Sequence, residues 1–128
     1  MSDDLFDKGT AVRKAVLGAE HVARAEANKT DFDADWQRYV AEHAWAAVWT
    51  RPGLEKRIRS MLTIAMLASL GKTEELALHI RATRNTGVTK DEVKEVLLQV
   101  AVYAGAPAAN SAFAVAKRTY KEMESEGK

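Results

Sequence analysis

Apolar side chains in this chain recur three and four positions apart over nearly its whole length, and no stretch alternates as a half-buried strand would. With two prolines and seven glycines among 128 residues, the backbone has few places to turn. The pattern predicts an all-α protein of five or six helices joined by short turns, in one domain covering residues 1–128.

The first helix is expected from Asp4 to Ala27, with Val12, Ala15, Val16, Ala19 and Ala23 inward and His21 half-exposed at the edge of that face. Asp33 is placed to cap a second helix that runs to Thr50. Trp36, Tyr39, Val40, Ala44 and Val48 make its apolar face, with His43 between the rings, while Trp45 and Trp49 lie roughly opposite. A surface helix needs one apolar face. The second aromatic face therefore lines a pocket, meets a partner or caps the edge of the core.

Arg51-Pro52-Gly53 ends that helix, because Pro52 biases Arg51 away from helical geometry. A planar cation beside Trp49 suits a carboxylate, and a solvated loop arginine is the alternative. A third helix, Leu54 to Leu70, starts charged and becomes apolar almost all round after Ser60. A chain this small has little capacity to wrap such a helix, so the pattern points to a homo-oligomer. Arg57 falls in line with Met61 and Ile64, and Arg59 with Thr63 and Met66. Either arginine faces an anion inward, or its stem packs while its head reaches water.

The segment Glu75 to Gly87 reads as one helix, with Thr73 as its N-cap, acidic residues in its first turn and Gly87 as a left-handed stop. Leu76, Ile80 and Thr83 form its buried stripe, and Glu75, His79 and Thr86 share a flank. Arg81 points about 200° away from His79, so one helix cannot aim both at the same atom. Thr89 to Glu92 has capping-box spacing, and Val93, Val96, Leu97, Val100 and Ala104 follow on one face. Pro107 suits the first turn of a last, alanine-rich helix that carries Asn110 and frays from Ser125.

Several functions are excluded. A formal net charge of +1 offers no field for nucleic acid or an anionic membrane. Without cysteine there is no disulfide, thiolate metal site or thiol catalysis. The run Met61 to Leu70 is too short to span a bilayer. The acidic start lacks a signal-peptide apolar core, so a soluble cytoplasmic protein is the expectation.

Four runs carry a resemblance. They are Arg51-Pro-Gly-Leu54, Arg59-Ser-Met-Leu-Thr-Ile-Ala-Met-Leu-Ala-Ser-Leu-Gly71, the stretch from Glu74 to Gly87-Val-Thr, and Glu95 to Asn110. Together with Val16-Leu-Gly18, His21-Val22 and Arg24-Ala-Glu-Ala-Asn28, the chain resembles the 4-carboxymuconolactone decarboxylases. That resemblance implies the helical fold of the AhpD alkylhydroperoxidases, assembled as trimers or hexamers. It also implies cofactor-free and metal-free decarboxylation of a lactone dicarboxylate, 4-carboxymuconolactone, to 3-oxoadipate enol-lactone in protocatechuate breakdown. Where such proteins tend to have Tyr-Ala-Trp-Gly, this chain reads His43-Ala-Trp-Ala46. In the redox branch of the superfold a Cys-x-x-Cys pair precedes a histidine. Here His79 matches that histidine and Glu75 stands at the second cysteine position.

Loss of carbon dioxide from the ring carbon of such a lactone leaves an electron pair conjugated to the lactone carbonyl, so the substrate carries its own electron sink. The protein must grip the acetate arm, donate to the lactone oxygen and protonate the ring carbon. On the resemblance, His79 is the proton donor and Glu75 orients it. Arg51 and one of Arg57 or Arg59 grip carboxylate, Arg81 contributes across a subunit boundary, Trp45 and Trp49 exclude water, and Asn110 donates to the lactone. The competing expectations are a non-catalytic helical oligomer that binds a small carboxylate or a protein partner, and a related lactone hydrolase or isomerase.

Overall fold

A computed structural model describes residues 2–127, with side chains from Asp4 onward. Its elements are α1 (Ser2–Leu17), α2 (Ala19–Asn28), α3 (Ala34–Val40) continued by a π-helical segment (Ala41–Trp49), α4 (Lys56–Leu70), α5 (Thr73–Thr86), α6 (Lys90–Tyr103) and α7 (Ala106–Ser125). The described residues are thus all-helical, with seven α-helices rather than five or six. The chain divides into two compact units, Met1–Lys56 and Arg57–Lys128.

In the first unit, the helix expected from Asp4 to Ala27 is two helices. Gly18 sits at φ 95°, a backbone conformation open to glycine, and the chain changes direction there. Val12, Val16, Leu17 and Val22 are buried, whereas Ala15, Ala19 and Ala23 are exposed. The next helix also departs from expectation, in which face turns inward. Trp36 and Tyr39 are 60% and 55% exposed and His43 is exposed, while Trp45 is buried with Ala41 and Ala46. Helix α1 explains the reversal. A Cβ on Gly9 would lie 1.9 Å from the Ala41 carbonyl oxygen, so the two backbones nearly touch. Such an approach requires small residues on the facing side, and Ala41 and Ala46 supply them where the bulky Trp36–Tyr39 face cannot. Trp36 stacks on Tyr39 at the surface instead, with centroids 5.9 Å apart, and His43 lies tilted against Tyr39 at 4.5 Å.

In the second unit, α5 and α6 each pack on α7. The core joins Ile64 and Ala68 of α4, Leu76 and Ile80 of α5, Val93, Leu97 and Val100 of α6, and Ala109, Ala112 and Ala116 of α7. The alanines let neighbouring helices come close, as expected for that composition. Helix α5 buries Leu76, Ile80 and Thr83 and stops at Gly87, which has φ 86° and donates its N–H to the Thr83 carbonyl at 2.8 Å. Its cap residue is Lys72 rather than Thr73, which is already the first helical residue. The expected capping box is present: Glu92 N–H donates to Thr89 Oγ1 and Thr89 N–H to Glu92 Oε1, both at 3.0 Å. Helix α4 is buried on one side only, through Ser60, Ile64 and Ala68; Leu62, Met66 and Leu70 are 43%, 59% and 69% exposed. No helix among the described residues is long and apolar enough to cross a membrane.

Candidate active site

Helix α5 turns its buried stripe of Leu76, Ile80 and Thr83 inward, and this sets the flank that carries His79. His79 is half-buried and its Nδ1 is enclosed by protein. Glu75 stands one turn earlier and is exposed. Two turns on, Thr86 Oγ1 donates to Ser60 Oγ at 3.0 Å. Ser60 is completely buried on α4, so this bond seats α4 beside the His79 flank. Sequence reasoning placed Thr86 on that flank but overlooked its hydroxyl partner. The available signal was a serine at the point where α4 turns from charged to apolar.

Two arginines enter from the start of α4. Arg57 and Arg59 are each half-buried, and Arg59 Nε is enclosed. The Arg57 guanidinium pairs with Glu92 and lies 3.9 Å from Met61 Sδ. Glu92 therefore closes the cap of α6 with one oxygen and holds a guanidinium with the other. The Thr89 backbone N–H and then Arg57 keep the Glu92 carboxyl below its usual range. The helix N-terminus that needed a capping acid thus also aims an α4 arginine. Thr86 and Ser60 thus join α5 to α4, the helix that also carries Arg57 and Arg59, while the Arg57 guanidinium turns to Glu92 of α6.

Arg81 is placed differently. Its guanidinium pairs with Glu126 at 2.8 Å and Glu122 at 2.9 Å, both on the last turns of the chain. Glu126 and then Glu122 raise its basicity further. Arg81 thereby ties α5 to the end of α7, on the side of α5 opposite His79. Asn110 is exposed on α7 and lines a cleft of about 650 Å³ against α6 whose walls include neither His79, Glu75, Arg57, Arg59 nor Arg81. In the first unit, Trp45 is buried and Trp49 half-buried, their rings stacked at 5.1 Å, and Arg51 is exposed on the turn that follows. Among the described residues, no group of three or more His, Asp or Glu side chains is arranged to hold a metal ion.

An imidazole on the flank of a buried stripe, with two arginines on the preceding helix, supplies the residue types for proton transfer to a carboxylate-bearing substrate. Residues 34–118 match the carboxymuconolactone decarboxylase family. The chain is 46% identical over 118 residues to a 4-carboxymuconolactone decarboxylase of Acinetobacter baylyi, covering 92% of this chain and 88% of the relative. It is also 42% identical over 123 residues to a nitrosuccinic acid decarboxylase of Metarhizium robertsii, covering 96% of this chain and 86% of that one.

Proposed function

The chain belongs to the carboxymuconolactone decarboxylase family, and on that premise we propose that it decarboxylates 4-carboxymuconolactone to 3-oxoadipate enol-lactone in the protocatechuate branch of the β-ketoadipate pathway. The carrying observation is the 46% identity to the Acinetobacter baylyi enzyme over nearly the full length of both chains.

The chemistry needs no external electron sink. The bond between ring carbon and carboxylate breaks, carbon dioxide leaves, and the electron pair spreads into the lactone carbonyl. A proton then adds to the ring carbon next to the lactone carbonyl, which leaves the double bond at the carbon that lost carbon dioxide and gives the enol-lactone. His79 gives that proton and Glu75 orients the imidazole. Arg57 and Arg59 hold carboxylate, with Arg57 kept in place by Glu92 until substrate arrives. Arg81 is left out of this assignment, because two carboxylates already hold its fork. The roles of Arg51 as a carboxylate grip and of Trp45 and Trp49 as water-excluding walls belong to the same proposal and rest on the sequence resemblance, whereas Asn110, expected as a donor to the lactone, is left out because it lines the α6–α7 cleft, whose walls do not include His79. The working particle is a cytoplasmic homo-oligomer, a trimer or hexamer, which covers the exposed apolar row of α4.

The Metarhizium robertsii relative favours a second substrate class. Nitrosuccinic acid also carries two carboxyl groups, with a nitro group in place of the lactone carbonyl as electron sink. The test is to supply purified, metal-stripped protein with each acid and follow carbon dioxide release and product by NMR. Turnover of the lactone to the enol-lactone is the expected result. Ring-opened product without carbon dioxide would replace the reading with a hydrolase, and turnover of nitrosuccinate alone would replace the substrate.

A further inference from the structure

The cleft between α6 and α7 takes no part in the proposed chemistry, yet its lining is distinctive. Lys90 and Lys94 stand one turn apart on its α6 wall, and Lys117 and Lys121 one turn apart on its α7 wall. Four of the ten lysines in the chain thus converge on one 650 Å³ cleft, against two carboxylates, Asp91 and Glu124. The chain as a whole has a net charge of only +1, so this concentration is local.

Like charges four residues apart oppose each other on a helix. Here two such pairs face a common space. Asp91 answers Lys94 only loosely, at 3.8 Å, and Lys90 is drawn over the Tyr120 ring, 5.1 Å from its centroid. Between the lysine rows the lining is apolar and aromatic, with Val93, Leu97, Phe113 and the half-buried Tyr120, whose hydroxyl is enclosed. Cationic walls over a flat apolar floor, in a volume typical of small-molecule sites, fit an anion with an apolar body. Two opposed lysine rows fit carboxylates at both ends of it.

We propose that the α6–α7 cleft binds a small organic dicarboxylate with a flat apolar core, at a site separate from His79. The lysine rows hold the two carboxylates and the Phe113 and Tyr120 rings contact the core. This site does not depend on the decarboxylase reading.

The probe is isophthalate, an unreactive aromatic dicarboxylate, titrated into the full-length protein by calorimetry at low salt. Saturable one-to-one binding is expected, weakened about tenfold or more by Lys117→Gln together with Lys121→Gln. Those exposed changes leave decarboxylation and melting temperature unaltered, and His79→Ala leaves isophthalate binding unaltered. The proposal is overturned if isophthalate does not bind, if the lysine variants bind it equally well, or if His79→Ala abolishes binding. It is also overturned if benzoate binds as tightly, since a second carboxylate would then have no role. A fall in oligomer mass on the lysine changes would overturn it as well, by making the cleft an interface between copies.

Discussion

At the scale of single residues, some charged groups hold helices together and others are proposed to act on substrate. Arg81 belongs to the first class. Its ion pairs are partly exposed, so Arg81→Ala costs at most about 1 kcal/mol, read as a small drop in melting temperature with kcat unchanged. His79 belongs to the second. Replacing it with alanine lowers kcat by about 100-fold to 10,000-fold, the usual value of a positioned acid, while the melting temperature moves little. Undiminished turnover by correctly folded His79→Ala protein would remove the assignment. Glu92 serves both ends, since it caps α6 and pairs with Arg57. Its folded-state pKa lies below the ordinary 4.5, so it stabilises the fold above that value and the contribution is lost as pH falls through the folded value. Denaturant midpoints measured across that acid range should fall more steeply for the native chain than for Glu92→Gln. Equal slopes would mean that the carboxylate contributes nothing to folding.

At the scale of elements, helix existence was written in the spacing of apolar residues, and helix ends in a few punctuating residues. Gly87, the Thr89–Glu92 box and Pro107 mark three ends, because caps are local chemistry between residues close in sequence. The inward face of the Trp-rich helix was not legible in the same way. Trp36 and Tyr39 carry more apolar area than Ala41 and Ala46, so periodicity favours them for the core. The decision lies in Gly9, thirty-two residues away, whose missing Cβ lets α1 rest on the Ala41 carbonyl. Gly9→Ala should therefore destabilise the first unit by about 1–3 kcal/mol, measured by denaturant unfolding, because α1 must be pushed off the π segment. A neutral substitution would show that the close approach is not required. The Ser60–Thr86 bond is a second element-scale contact that spacing alone could not reveal, since it joins two helices whose relative rotation no single helix dictates.

At the scale of the whole molecule, Leu62, Met66 and Leu70 form an exposed apolar row one turn apart along α4, with Leu98 and Val102 exposed likewise on α6. Under the proposed assembly, sedimentation should give a multiple of 14.1 kDa, and Met66→Lys should shift the mass toward one chain. A monomeric native protein would remove the oligomer from the proposal. The sequence by itself determined the all-helical class, most helix stops, the buried stripe of α5 and the family, because each depends on residue types at short, fixed separations. Only the tertiary structure decided that Gly18 splits the first helix, that Trp45 and not Trp36 faces inward, that Glu122 and Glu126 claim Arg81, and that four lysines meet in one cleft. Those outcomes depend on how one helix is rotated and seated against another, and that is set by close packing between residues far apart in the chain.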